Sequence, residues 1–113
     1  MAVEVTAKNF EEVLKEKNIT VLDFWAPWCG PCRMLGPVID SLHEDYVDKN
    51  VTIGKVNVDE NGTVAAQYGI RSIPTIIFLK DGVEVPNTKI VGPKNKNEFE
   101  KVIDELLKSV ETN

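Results

Sequence analysis

The stretch Trp28-Cys29-Gly30-Pro31-Cys32 contains both cysteines of this 113-residue chain, three positions apart. If a helix begins just after Cys29, residues at i and i+3 lie on one helix face with their Cβ atoms roughly 5 Å apart. That separation permits a disulfide after slight tightening. Pro31 suits the first helical turn, because its fixed φ matches the helix and its missing N–H would be unpaired there anyway. The stretch therefore predicts a redox-active cysteine pair at a helix start.

The segments on either side of this motif predict a buried strand followed by an amphipathic helix. Residues 19–26 form a nearly continuous apolar run, which is typical of a strand covered on both faces. After the motif, apolar residues recur at steps of three and four as far as Tyr46. This inward stripe consists of Cys32, Leu35, Ile39, Leu42 and Tyr46. Pro37 lies inside the same segment, and we expect one bent helix there rather than two.

The position of the motif also predicts which cysteine reacts first. At a strand-to-helix turn, the N–H groups of the helix start favour an anion. A thiolate on Cys29 would be stabilised there, and the thiolate is the nucleophile in disulfide exchange. We therefore expect Cys29 to be exposed and to attack first, whereas Cys32 belongs to the buried stripe.

The rest of the chain predicts strands that alternate with helices. We expect strands at residues 3–5, 51–58 and 75–80, and an antiparallel strand after the turn at Asp81-Gly82. We expect a helix with Thr6 as its N-cap that runs to about Lys17, and a short helix from Thr63 to Tyr68 that ends at a left-handed Gly69. The apolar stripe from Phe99 to Val110 predicts the last helix. This order of elements predicts a mixed sheet packed between helices.

Length, composition and charge limit the class of protein. The length fits one domain, residues 1–113, with a hydrophobic core. A net charge of −5 and the lack of a Lys/Arg run argue against nucleic acid or an anionic membrane as partner. The N-terminal residues do not have the pattern of a secretory signal, and no apolar run approaches the roughly 20 residues of a bilayer span. We expect a cytoplasmic monomer whose two cysteines do redox work or bind metal.

The active-site motif and two further segments resemble the thioredoxin family. These are Trp28-Cys29-Gly30-Pro31-Cys32, the preceding Asp23-Phe24-Trp25-Ala26 and the later Ile73-Pro74-Thr75, in the family's order and spacing. The resemblance covers nearly the whole chain. It implies the thioredoxin fold, a central mixed five-stranded sheet flanked by four helices. It also implies reduction of client protein disulfides by Cys29 and Cys32, with no bound cofactor. The NADPH and flavin would belong to a thioredoxin reductase, although a ferredoxin-linked reductase is an alternative.

Asp23 interrupts the apolar strand, where an unpaired carboxylate costs several kcal/mol. It is either a strand-end carboxylate that reaches water or a buried carboxyl with a raised pKa near the cysteines. The resemblance favours the second interpretation, because it matches Asp23 to the family's buried aspartate, which helps to move the proton of the second cysteine. It also matches Lys55 to the family's lysine near that aspartate. Lys55 could equally be a surface lysine whose stem lies along apolar neighbours.

The resemblance implies a cis peptide bond between Ile73 and Pro74, which the residues alone would not predict. The backbone of Ile73 could pair with an extended substrate segment. By the same resemblance, an apolar collar around Cys29 consists of Trp28, Gly30, Pro31, Ile73 and Gly92, with Trp25 packed beneath the site. The arm between Gly82 and Gly92 looks longer than the family usually has, and Pro93 follows Gly92 where a small non-proline residue is common. Both departures bear on partner preference.

Several alternatives to disulfide reduction remain open at this stage. Cys29 and Cys32 could be half of a zinc site, but His43 on the same helix would lie on the order of 16 Å from Cys32. They could be a structural disulfide, although a loop this short removes little chain entropy. The same fold also serves disulfide oxidases and isomerases, against which Gly30-Pro31 argues, and non-catalytic binding modules.

Overall fold

A computed structural model describes residues 1–111 of the chain. Its elements in chain order are β1 (Val3–Glu4), α1 (Phe10–Glu16), β2 (Ile19–Trp25), α2 (Gly30–Tyr46), β3 (Val51–Asn57), α3 (Gly62–Gln67), β4 (Thr75–Lys80), β5 (Val83–Glu84), β6 (Ile90–Val91) and α4 (Lys96–Glu111). Two residues of the predicted 1–113 domain, Thr112 and Asn113, lie outside the described range.

The strands form one mixed sheet in the order β1-β3-β2-β4-β5. Strands β1, β3 and β2 are parallel, and β4 runs antiparallel to β2. Both β5 and β6 pair antiparallel with β4 along the edge that β2 leaves free. The mixed sheet flanked by four helices is confirmed, but the predicted fifth strand is two short strands. Between them, Pro86 has no N–H to donate and Asn87 has a φ of 63°, so the chain leaves the sheet edge and returns.

Apolar side chains are buried on both faces of the sheet. Along β2, Ile19 and Val21 pack towards α2 and α4, whereas Leu22 and Phe24 pack in the second cluster with residues of α1 and α3. Because side chains alternate between the faces of a strand, Asp23 lies on the same face as Ile19 and Val21. The carboxyl group is therefore placed between the sheet and helix α2.

The helices agree with the predicted pattern except at the start of α1. Helix α2 is one helix that includes Pro37, and its predicted stripe is buried throughout. Helix α1 begins at Phe10 and not at Thr6, so Thr6 is not its N-cap. Thr6 instead accepts the N–H of Lys8 on its hydroxyl and that of Phe10 on its carbonyl, which forms a turn before the helix. Among residues 1–111, no helix is both long and apolar enough to cross a bilayer.

The N-terminal strand β1 is held close against β3 at the position of Gly54. A Cβ atom at Gly54 would lie 2.6 Å from Val5 Cγ2 and 3.3 Å from Leu22 Cδ2. The Val5 N–H donates to the Lys55 carbonyl at 2.9 Å, and the Ala2 N–H donates to Asp40 Oδ1 at 3.0 Å. The absence of a side chain at residue 54 therefore lets β1 lie along the sheet edge.

At the end of the sheet where β2 and β3 begin, polar side chains bind one another. The Asn18 backbone N–H donates to Asn50 Oδ1 at 3.0 Å, and the Asn50 side-chain amide donates back to Asn18 Oδ1. The Asn18 side-chain amide also donates to Asp81 Oδ1, and the Asp81 N–H donates to the Asn18 carbonyl at 2.7 Å. These bonds tie β2, β3 and the β4–β5 turn together.

Candidate active site

The two cysteines lie at the N-terminus of α2, directly after β2. Cys29 is the N-cap residue with extended backbone (φ −88°, ψ 110°), and Pro31 is in the first turn. Cys29 Sγ accepts a hydrogen bond from the Cys32 backbone N–H at 3.2 Å. The two residues form a disulfide with their Cα atoms 5.2 Å apart. The predicted position at a strand-to-helix turn is confirmed, with a helix N–H group directed at the Cys29 sulfur.

Cys29 is much less accessible than its position before the helix predicts. In the disulfide form it is 6% exposed, and Cys32 is 2% exposed. The prediction that Cys29 is exposed is therefore wrong for this oxidation state. Ala26 packs with both cysteines, and Trp25, Val58 and Ile73 pack against this group. The Ile73 carbonyl oxygen lies 3.9 Å from Cys29 Sγ. Val58 and Ile73 come from loops far away in sequence, so the local motif did not show that they cover Cys29.

The loop before β4 lies beside Cys29 and is held by backbone hydrogen bonds. The Ile73–Pro74 peptide bond is cis, as the resemblance implied. The Pro74 carbonyl accepts the Gly92 N–H at 2.8 Å. Gly92 has a φ of 90°, a conformation that favours glycine. The Thr75 hydroxyl donates to the Ser72 carbonyl at 2.6 Å. The structure thus brings Ile73, Pro74 and Gly92 together at the edge of the cysteine site.

Trp28 is the large exposed apolar side chain of the motif, with 68% of its surface accessible. Its indole N–H donates to the Asp59 carboxylate, at 3.0 Å from Oδ2 and 3.2 Å from Oδ1. Asp59 was not identified from the sequence as a site residue. It follows β3, and the carboxyl ends of the parallel strands β2 and β3 meet at one sheet edge, so topology was the signal that could have found it.

Asp23 is completely buried in β2, the strand that leads to the cysteine turn. Neither of its carboxylate oxygens has a hydrogen-bond partner among residues 1–111. Burial raises the pKa of Asp23 from 3.8 to about 7, and the Lys55 ammonium opposes that rise. The expected buried carboxyl with a raised pKa is confirmed, and the alternative of a strand-end carboxylate in water is wrong.

Lys55 is the direct neighbour of Asp23 across strands β2 and β3. The side chain is half-buried, and its Nζ lies 4.4 Å from the centroid of the Trp25 ring. In the described part of the chain, no carboxylate lies within ion-pair distance of this Nζ. Lys55 therefore acts on Asp23 through its charge without forming an ion pair. Trp25 packs beneath the site, as predicted.

Comparison with known proteins agrees with this geometry. A profile of the family described as Thioredoxin matches residues 1–105. The chain belongs to the thioredoxin family. It is 52% identical over 105 residues to a thioredoxin of Chlorobaculum thiosulfatiphilum, covering 92% of this chain and 94% of that protein. It is 48% identical over 108 residues to thioredoxin 1 of Synechococcus elongatus, covering 95% and 98%.

A solved structure shows the same fold. A mutant thioredoxin from Halobacterium salinarum superposes with a TM-score of 0.83 at 31% identity, covering 92% of this chain and 88% of that one. Members of the thioredoxin family are protein-disulfide reductases, and this chain is a thiol–disulfide oxidoreductase with a reversible Cys29–Cys32 disulfide. Thioredoxins work in general with a thioredoxin reductase and with disulfide-containing clients.

The redox group of a thioredoxin is its own disulfide, and the family binds no further cofactor for the reaction. Within residues 1–111, no group of three or more His, Cys, Asp or Glu side chains could hold a metal ion. His43 lies on α2, near the end of the helix opposite to the cysteines. The zinc interpretation of the cysteine pair therefore has no support within the described chain.

Proposed function

We propose that Cys29 is the nucleophile of client reduction and Cys32 is the resolving residue. In the reduced protein, the Cys29 thiolate attacks one sulfur of a client disulfide. A Cys29–client bond forms, and the other client sulfur leaves as a thiol once it is protonated. Cys32 then attacks Cys29, which releases the second client thiol and closes the Cys29–Cys32 disulfide. Two electrons and two protons pass from this chain to the client.

The observation that carries this assignment is the hydrogen bond from the Cys32 N–H to Cys29 Sγ at 3.2 Å. The N-cap sulfur is next to the unpaired N–H groups and the positive end of α2, which favour its thiolate. Cys32 lies one turn further into the helix, on its buried stripe. Its burial opposes ionisation until a neighbouring base accepts the proton.

We assign that proton transfer to Asp23, with Lys55 as the group that modulates it. Asp23 is buried, its oxygens have no hydrogen-bond partner in residues 1–111, and its pKa of about 7 suits exchange of a proton near neutral pH. The Lys55 ammonium opposes the rise in that pKa and so keeps the carboxylate accessible. Asp23 acts on Cys32 and not on the client.

The collar around Cys29 would hold the client during the attack. The Ile73 carbonyl, 3.9 Å from Cys29 Sγ, is positioned to pair with an extended client backbone. Trp28, Gly30 and Pro31 would cover the client from the helix side, and Pro74 and Gly92 from the loop side. A Cβ at Gly30 would meet nothing within 4 Å, so this glycine leaves space for a client segment.

The partners and setting follow from the same chemistry. A thioredoxin reductase that uses NADPH and flavin would restore the Cys29–Cys32 dithiol, with a ferredoxin-linked reductase as the alternative. Reduction of client disulfides requires a reducing compartment, which supports a cytoplasmic location. The disulfide chemistry is complete within one chain, which supports a single domain of residues 1–113 acting as a monomer.

Trapping of the mixed disulfide tests the assignment. The Cys32→Ser variant should make the first attack but not the second, so it should accumulate client adducts that an external thiol releases. The matched Cys29→Ser variant should give neither adducts nor turnover. Each variant is incubated with a disulfide-bonded protein, free thiols are blocked, and the linked peptides are mapped by mass spectrometry. Adducts mainly on Cys32 would reverse the assignment of the two roles.

A further inference from the structure

A small pocket lies beside the cysteine site, between the loop before β4 and the end of the long arm. Its volume is about 180 Å³, and it is lined by Gly69, Ile70, Arg71, Ser72, Thr75, Lys89 and Val91. Two of the proposed client-binding residues adjoin it in the chain, because Ile73 follows Ser72 and Gly92 follows Val91. At the end of the pocket nearest the cysteines, the Gly92 N–H donates a hydrogen bond to the Pro74 carbonyl and so joins the arm to the loop before β4. A client segment held at Ile73 would therefore pass this pocket.

The pocket has two cationic side chains, Arg71 and Lys89. Arg71 and Lys89 are both exposed, and no carboxylate in residues 1–111 lies within ion-pair distance of either. By contrast, Arg33 on α2 uses its guanidinium to donate to the Pro27 carbonyl at 3.1 Å. Val91, which is 52% exposed, and the half-buried Ile70 add apolar surface to the same pocket. Two free cations beside apolar surface suit a carboxylate on a short apolar stem.

The opposite side of Cys29 has the opposite charge. Asp59 follows β3, Cys29 follows β2, and Lys89 precedes β6 at the edge of β4. The order of the strands therefore places Asp59 and the Arg71–Lys89 pair on opposite sides of the cysteines. Glu60 adds a second anion next to Asp59. An approaching peptide meets positive charge on one side of the disulfide and negative charge on the other, in a protein whose net charge is −5.

We propose that Arg71 and Lys89 form a subsite for an acidic side chain, glutamate or aspartate, close in sequence to the client cysteine that Cys29 attacks. This inference rests on the proposed attack by Cys29 and adds to it the chemistry of the preferred client. Lys89 lies on the arm between Gly82 and Gly92, so this arm would take part in client selection. The subsite would also fix the direction in which a client segment lies across the site, because reversal would bring its carboxylate to Asp59.

The test uses peptides with one disulfide that differ at a single residue. Glutamate, glutamine or lysine is placed at successive positions on either side of the attacked cysteine, and kcat/KM is measured for each peptide. At one position we expect the glutamate peptide to exceed the glutamine peptide by roughly three- to tenfold, which is the range for one or two exposed ion pairs. The preference should decrease in high salt, because exposed charges are screened.

Charge variants then assign the preference to its residues. The Arg71→Gln/Lys89→Gln double variant should bring the glutamate-to-glutamine ratio close to one, and Arg71→Glu/Lys89→Glu should favour the lysine peptide. The control, Lys15→Gln/Lys49→Gln, removes the same charge at the far end of the sheet and should keep the wild-type ratio. Because each readout is a ratio within one variant, a general loss of activity cancels.

Two results would overturn the subsite, and they differ from failure of the proposed function. If the wild-type protein reduces all peptides at similar rates, or if the double variants keep the wild-type ratio, the acidic preference is wrong while attack by Cys29 stands. If neither reduction nor adducts at Cys29 are found with any peptide, the proposed attack fails and the subsite fails with it.

Discussion

Polar side chains occur at both ends of strand β2, but their surroundings differ. Where β2 begins, Asn18, Asn50 and Asp81 exchange hydrogen bonds through side-chain and backbone groups. Towards the end of β2, Asp23 is completely buried, and its oxygens have no partner in the described chain. Both regions are therefore polar, but the amide groups of the asparagine network are paired and the Asp23 carboxyl is not.

Because of this difference, the polar groups at the start of β2 contribute to stability, and Asp23 near its end is available for proton transfer. A satisfied network holds strands in register, and loss of one member leaves the other unpaired. An unpaired buried carboxyl lowers the free energy of unfolding, but its proton can move to a neighbouring group. The asparagine end should therefore affect folding without affecting turnover, and the aspartate end should affect both in opposite directions.

The largest expected effect is from Asp23→Ala, which removes the buried carboxyl that has no hydrogen-bond partner. The folded pKa of about 7 lies above 3.8, so the native state holds more protons between these values and the wild type loses stability as pH rises from about 4 to about 7. The variant lacks this loss, so the difference in free energy of unfolding between variant and wild type should grow across that pH range, to at most on the order of 4 kcal/mol. Its turnover should be slower, because Cys32 loses its proton acceptor.

Urea melts of wild type and variant at pH 5 and pH 8, together with turnover rates, check both parts. Asp23→Asn is the matched control, because it keeps the shape and removes the titration, so its stability should also lose the dependence on pH. A variant that is destabilised equally at both pH values, with normal turnover, would show that Asp23 is a well-paired structural group.

A smaller effect of opposite sign is expected in the asparagine network where β2 begins. Asn50→Ala removes the acceptor of the Asn18 N–H and the donor to Asn18 Oδ1. Because it leaves part-buried polar groups unpaired, it should lower the free energy of unfolding by about 1–3 kcal/mol. Turnover below the melting range should stay at the wild-type level. Slower turnover in the folded variant would mean that the two ends of the sheet are coupled.

The smallest expected effect is at Thr52, where the buried unpaired group is an uncharged hydroxyl and not a carboxyl. Thr52 is buried, and its hydroxyl has no hydrogen-bond partner in residues 1–111. Thr52→Val removes that hydroxyl and should raise stability by about 0.5–1 kcal/mol with no dependence on pH. Thr52→Ser, which keeps the hydroxyl and loses the methyl, should lower stability by about 1 kcal/mol. If valine destabilises as serine does, the hydroxyl has a partner in solution.

Features with local causes were predictable from the sequence. The buried stripe of α2 follows from helical periodicity, and the bounds of β4 follow from its apolar run between Pro74 and Asp81. Gly69 adopts the predicted positive φ, at 64°. The apolar residues on either side of Asp23 favoured its burial, and the resemblance to the thioredoxin family favoured it over a strand-end carboxylate that reaches water.

Features that depend on distant residues were not predictable from local pattern, although the resemblance to the thioredoxin family implied that Ile73 lies beside Cys29. The burial of Cys29 depends on Val58 and Ile73, which only the fold brings to it. The same is true of Asp59, which binds the Trp28 indole from the end of another strand. The division of the arm into β5 and β6 depends on Asn87 at positive φ, a conformation that asparagine tolerates but does not require. The local sequence pattern therefore identified the cysteines that react, but not the distant residues that bury them.

Gly54 allows strand β1 to cover the outer edge of β3. Strand β1 has two residues, yet it occupies the hydrogen-bonding edge of β3 that would otherwise face solvent. Any side chain at residue 54 would press on Val5 and Leu22 and push β1 away. The uncovered edge of β3 would then be a template for strands of other copies of the chain. A side chain at residue 54 is therefore expected to expose the edge of β3 and to favour aggregation.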